Sequence, residues 1–337
     1  MTTSDTVSDG ARLPVDHCVI LGGGISPVPL ARATGMAVLD LPIREDTTLG
    51  QLVRDRLTET FRLPAGQRAL VVRSEGLPIP RRLPECLQLM TEPQRYRGPA
   101  GAVRDVCGRG DPDAWILVVE GNRYMSESLA PMVRQAGDDA DVVIGTNPDS
   151  SPAGVYLLRR RVVDMTPTMG FLDLKEQLLN KCRASGGRTV AASFAGAGVF
   201  QIRTRSDLLR AIEIDSRTRH DRGHSLYVKR VVAQQKWASL ILPNSTVDPE
   251  AVLIESVVMD GADVGPGAVV VRSVVCPGAV VRPGTELVER VVTPHSSTCP
   301  REESTTRFGV DTGGSPTLGV RGGIALVRRA LMGAGTH

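Results

Sequence analysis

The chain has 337 residues, enough for two domains and a large core. Its 40 Lys and Arg stand against 37 Asp and Glu, a formal net charge of +3 that is too balanced to suggest a nucleic-acid partner. Aromatic content of 3% gives no base-stacking platform, which points the same way.

Residues 1–15 are polar, lack the apolar stretch of a signal peptide, and are expected to be disordered. No apolar run approaches the ~20 residues that a membrane span needs. The six cysteines are scattered and none forms a CxxC pair, so reduced thiols in a cytoplasmic protein are the expectation. Only four lysines occur, Lys175, Lys181, Lys229 and Lys236, which leaves few for phosphate work.

Asp16–Leu21 (DHCVIL) reads as a short buried strand running into Gly22, Gly23 and Gly24. A strand ending in glycines often turns backbone N–H groups toward a phosphate, although such a turn can equally be only a turn. Leu49–Phe61 has helical periodicity, and Ala69–Arg73 reads as a strand. Gly98–Val106 (GPAGAVRDV) reads as a loop entering a helix. Trp115–Glu120 (WILVVE) is a buried strand ending at Gly121-Asn122. Ser128–Ala136 reads as a helix and Asp141–Gly145 as a strand. Strands alternating with helices predict an α/β domain, Rossmann-like, with a mostly parallel sheet over about residues 16–240. Ligands in such sheets sit at the carboxyl ends of strands. His220 and His224 have helical i, i+4 spacing, but Asp221 and Arg222 between them point to a solvated helix face rather than a metal site.

Three copies of a 17-residue block begin at Val247, Val264 and Val281. Position one is always Val, position three always Pro (Pro249, Pro266, Pro283), and positions eleven and twelve always Val-Val. A fixed period over three copies is the mark of a solenoid, and the β-branched runs between Pro-Gly corners predict a parallel β-helix over 241–297. Position nine reads Glu255, Arg272, Glu289; stacked coils would bring these ~4.8 Å apart, with neighbouring charges opposite in sign. Three coils make a small prism, so the module is expected to lean on something else. The tail, 298–337, is expected to be flexible, with Ile324–Met332 a short helix candidate.

The order of these pieces resembles the sugar-phosphate nucleotidylyltransferases, with mannose-1-phosphate guanylyltransferases among them, over about residues 16–297. Cys18–Leu30 (CVILGGGISPVPL) is similar to that family's opening strand and Gly-rich loop, and Leu39–Leu57 to the stretch leading into its first helix. Gly98–Val103 (GPAGAV) is similar to its Gly-Thr-Ala-Gly loop, and Leu117–Asn122 (LVVEGN) to the strand ending in Asn-Gly-Asp. Ala153–Leu158 (AGVYLL) and Val199–Ala211 (VFQIRTRSDLLRA) resemble its later segments. The resemblance implies a left-handed β-helix. It also implies attack by a sugar-1-phosphate on the α-phosphorus of a nucleoside triphosphate, with release of pyrophosphate and with Mg²⁺ held by carboxylates.

It assigns nucleotide or sugar contacts to Gly22, Gly23, Gly24, Gly98, Ala100 and Gly101. The two metal-binding Asp positions fall on Asn122 and Gln201. The loop's Arg is replaced in Ile25-Ser26-Pro27, the following Lys aligns with Met36, and the Glu-Lys-Pro segment is absent. These departures imply weak or lost catalysis. Re-wired chemistry would draw on Glu120, two residues before Asn122, and on Arg32 beyond the short loop; the plain alternatives are a solvated strand end and a surface helix residue. For Asp207, helix capping with Thr204 and Ser206 is the preferred reading. Three functions therefore stand open: a divergent nucleotidyltransferase, a non-catalytic regulatory or assembly subunit that binds nucleotide or nucleotide-sugar, and, least favoured, a hexapeptide acyltransferase. A homo-oligomer or a related nucleotidyltransferase subunit is the expected protein partner.

Overall fold

The structure, a computed structural model, describes residues 12–23, 27–195, 199–221, 236–237 and 239–295. The chain divides into two units, 1–298 and 299–337, and the whole of the second lies outside the described residues, including the helix expected at 324–332. The side chains of His220 and His224 also lie outside them.

A short strand, β1 (Leu13–Pro14), leads into β2 (His17–Leu21), followed by α1 (Pro29–Thr34), α2 (Leu49–Thr60), β3 (Phe61–Arg62), β4 (Ala69–Arg73) and β5 (Leu87–Thr91). Then come α3 (Gly98–Cys107), β6 (Trp115–Glu120), β7 (Arg123–Met125), α4 (Ala130–Gln135), β8 (Val142–Thr146), β9 (Pro152–Arg159) and α5 (Arg160–Asp164). A π-helical turn (Leu174–Leu178) continues as α6 (Leu179–Ala184), before β10 (Thr189–Ser193), β11 (Val199–Gln201) and α7 (Arg205–Asp221). Seven strands form one sheet in the order β10-β8-β9-β6-β2-β4-β5. All neighbours are parallel except that β9 runs antiparallel to both β6 and β8. The chain steps outward from β2 to β4 and β5, then returns through α3 to β6 on the other side of β2. Strand order therefore reverses between β2 and β6.

The apolar runs are continuous because both sheet faces are covered. On β6, Leu117 and Val119 point into one core with Leu52 and Val53 of α2 and Leu208 of α7. Ile116 and Val118 point into the other, with Val103 of α3, Val162 of α5 and Leu178. Thr48 opens α2 with a capping box: its hydroxyl accepts from Gln51 N at 3.3 Å, and the Gln51 side chain accepts from Thr48 N at 2.7 Å. Asp207 caps α7, its carboxylate accepting from Thr204 N (2.8 Å) and Arg203 N (3.0 Å); Ser206 is not part of that set. GPAGAV differs from expectation in being helical from its first residue. Pro99 suits the first turn, where a missing N–H costs nothing, so no loop intervenes.

The C-terminal strands form three parallel stacks. They are β12 (Lys236–Trp237), β15 (Val252–Ile254), β18 (Val269–Val271) and β21 (Glu286–Val288); β13 (Leu240–Ile241), β16 (Val257–Val258), β19 (Val274–Val275) and β22 (Val291–Val292); and β14 (Thr246–Val247), β17 (Asp263–Val264) and β20 (Val280–Val281). Each register step equals one 17-residue repeat, as in Leu253 to Val270 to Leu287. Pairing starts at Lys236, so a partial turn precedes the three repeats and extends the stack upstream of residue 241.

The invariant Val-Val pair divides its work. Val258, Val275 and Val292 fill the interior of the stack. Val257 and Val274 instead join the α/β core, so the coil leans on the sheet domain through one side. Buried serines run between coils: Ser256 N donates to Ser239 Oγ (3.0 Å), Ser273 N to Ser256 Oγ (3.1 Å) and Arg290 N to Ser273 Oγ (3.0 Å). Glu255, Arg272 and Glu289 turn the corner in the left-handed region at φ 46°, 43° and 56°. Arg272 pairs with Glu289 at 3.0 Å, the sign alternation that the repeat predicts at that step.

Candidate functional site

A cavity of about 470 Å³ opens at the carboxyl ends of β2 and β6, where strand order reverses. Six of the ten expected site residues line it: Gly22, Gly23, Gly98, Glu120, Asn122 and Gln201. Gly22 and Gly23 follow directly on β2. Asn122 sits in the turn between β6 and β7, and its carbonyl accepts from Ile202 N at 2.7 Å. Antiparallel pairing of β11 with β7 sets Gln201 opposite Arg123, which brings its amide to Glu120 from far along the chain.

The other expected residues fall elsewhere. Arg32 is exposed on α1 and does not line the cavity. Ala100 and Gly101 are buried inside α3, where Gly101 gives room to the Arg97 side chain; Pro99 and Ala102 of that helix reach the cavity instead. Gly24 lies outside the described residues.

Glu120 is not a solvated strand end. Oε2 accepts from Arg123 (Nε 2.9 Å, Nη2 2.5 Å) and from Gln201 Nε2 (3.1 Å), while Oε1 meets Lys175 Nζ at 2.6 Å. Burial by itself raises the pKa of Glu120. The Arg123 charge, and then the hydrogen bond and charge of Lys175, outweigh that effect and hold the carboxyl below its ordinary range. The hydroxyl of Tyr156 is pushed upward by burial and by the Glu120 charge.

Lys175 had no sequence motif around it, only its rarity. It is placed by a chain of local contacts. Arg97, 2% exposed, binds Asp105 in bidentate fashion and donates to the carbonyls of Pro167 (2.7 Å) and Gly170 (2.9 Å). Leu172 N donates to Arg97 O at 2.9 Å. The next turn is capped by Asp173, whose carboxylate accepts from Lys175 N (2.7 Å) and Glu176 N (2.8 Å). The same loop carries Phe171, 54% exposed, to the cavity. Tyr96, 68% exposed and with φ 60°, lines it as well. Such strain in a non-Gly residue persists only where the surroundings impose it.

Mg²⁺ does not fit this set well. Hard divalent cations take carboxylate oxygens, but both oxygens of Glu120 are engaged by cations and its two neighbours are amides. Among the described residues, no group of three His, Cys, Asp or Glu is arranged to hold a metal ion. The five described cysteines are free thiols, and no described helix is long and apolar enough to cross a membrane. Neither any family model nor any curated protein matches the chain.

Proposed function

We propose that the chain is a divergent relative of the sugar-phosphate nucleotidylyltransferases, its stacked coils a left-handed β-helix, and that it binds a nucleotide or nucleotide-sugar while its catalysis is weak or lost. The observation that carries the reading is the convergence of Gly22, Gly23, Asn122 and Gln201 on one cavity at the strand-order reversal, the place where open α/β sheets take ligands. Exposed Phe171 and Tyr96 offer flat apolar surface to a base or sugar, and Lys175 offers charge to a phosphate. The impairment rests on Glu120. It is the carboxylate to which the Gln201 amide donates, and Arg123 and Lys175 already neutralise it, so re-wired metal chemistry through Glu120 and Arg32 is not favoured.

The test is pyrophosphate release by the purified full chain with each nucleoside triphosphate, several sugar-1-phosphates and Mg²⁺. Turnover at the blank level is expected, together with a rise in thermal stability on adding nucleotide-sugars. A ligand at a hundred times its Kd stabilises by ~2.7 kcal/mol. Robust turnover sinks the impaired reading, and no thermal shift with any nucleotide or nucleotide-sugar sinks the binding one.

A further inference from the structure

Among the described residues, the cavity wall carries one cation, Lys175, beside three acids, Glu120, Asp173 and Glu92. Glu120 contributes one negative charge and Arg123 and Lys175 one positive charge each, so the trio carries net positive charge. Arg123 lies behind it, its side chain 8% exposed, and Lys175 in front, 39% exposed and lining the cavity. An ammonium has three donors and Lys175 directs one at Glu120, leaving the rest for a ligand. The polar side chains beside them, Asn122 and Gln201, are uncharged and do not repel an anion. Two further acids line the cavity: Asp173 accepts from the backbone N–H groups of Lys175 and Glu176, and Glu92 accepts from Ser74 Oγ at 2.9 Å.

We infer that Lys175, anchored on Glu120, takes the place of a divalent cation as the phosphate-binding charge of this cavity, so that phosphate-bearing ligands bind without metal. The inference rests on the nucleotide reading for the identity of the ligand, but not for the anion subsite itself. Two carboxylates in place of Asn122 and Gln201 would demand a metal between protein and phosphate. Amides remove that demand, and an ammonium held in a fixed place by Glu120 supplies the attraction.

Calorimetric titration of the full chain tests it, with inorganic pyrophosphate, ADP, GDP, UDP, UDP-glucose and GDP-mannose as probes, in EDTA and in Mg²⁺. The affinity of those that bind is expected to agree within about twofold between the two buffers. Lys175→Met, which keeps the length of the side chain, is expected to weaken it about 10- to 100-fold, the worth of a charge-assisted hydrogen bond. Lys181→Met, on the surface of α6, is expected to leave ligand affinity unchanged, and an unchanged circular-dichroism spectrum of Lys175→Met below its melting transition shows that the fold is intact. Nucleotide binding that appears only with Mg²⁺, or that survives in Lys175→Met at full strength, overturns the inference and leaves the nucleotide reading standing. Pyrophosphate binding through Lys175 with no nucleotide binding does the reverse. Silence from every probe overturns both.

Discussion

At Gly98 the backbone runs at φ +72°, and an added Cβ would lie 2.6 Å from Leu172 O and 2.9 Å from Phe171 Cε2. Only glycine lets α3 begin this close to the loop that carries Phe171 and Lys175. Gly98→Ala is expected to cost about 1–3 kcal/mol in urea unfolding, strain and clash together. Gly35 offers the control: its φ is +67° with no atom within 4 Å of the built Cβ, so Gly35→Ala should lose only the strain part. Equal losses in the two variants would show that α3 and the loop do not approach each other this closely. Other residues at this scale were legible for their type but not for their partners. Glu120 read as a carboxylate at a strand end, yet Arg123 and Lys175 decide its chemistry, and Lys175 arrives from a turn that no local pattern ties to β6.

The 17-residue repeat is the element whose sequence said most. Position twelve of the block is valine because it fills the stack, and position eleven because it meets the sheet domain. The serine at position ten, Ser256 and Ser273, recurs without marking itself in the apolar pattern, because hydrogen bonding between coils leaves no hydropathy signal. Ser273 is fully buried; its Oγ accepts from Arg290 N and donates to Val271 O at 2.7 Å. Ser273→Ala leaves that N–H without its partner and is expected to cost about 1–3 kcal/mol by chemical denaturation. The neighbouring Arg272–Glu289 pair is half exposed, so Arg272→Ala should cost no more than about 1 kcal/mol. A reversed order of these two losses would mean that the charge ladder, not the serine ladder, holds the coils together.

At the scale of the whole molecule, the depressed carboxylates of Asp16 and Glu120 link stability to pH; that of Asp149, lowered by its hydrogen bonds from Ser151, lies at the surface and adds little. Burial raises the pKa of Asp16, but the hydrogen bond from fully buried Arg160, with the charges of His17 and Arg160, brings it below its ordinary value, as happens to Glu120 in the cavity. Both contribute stability that is present above the unfolded carboxylate values of ~3.9 and ~4.3 and is lost as pH falls through the lower folded values. Urea midpoints are therefore expected to fall below about pH 4, and Asp16→Asn, though less stable at neutral pH, should show a flatter acid limb. An acid limb of the same slope in that variant would assign the loss to other groups. The sequence by itself determined what is periodic or continuous along the chain: the coil register, the buried strands β2, β4 and β6, and the glycine turns that follow β2. Local steric and hydrophobic pattern suffices for these, since strand, turn and repeat are encoded within a few residues of one another. Edge strand β5, half polar and half buried, gave too weak a pattern to be found. Only the tertiary structure decided that Gln201, Lys175 and Phe171 meet Glu120 in one cavity, and that Arg32, Ala100 and Gly101 do not. Sheet order and the loop fastened by Arg97 set those distances, and charge neutralisation depends on what lies nearby in space rather than along the chain.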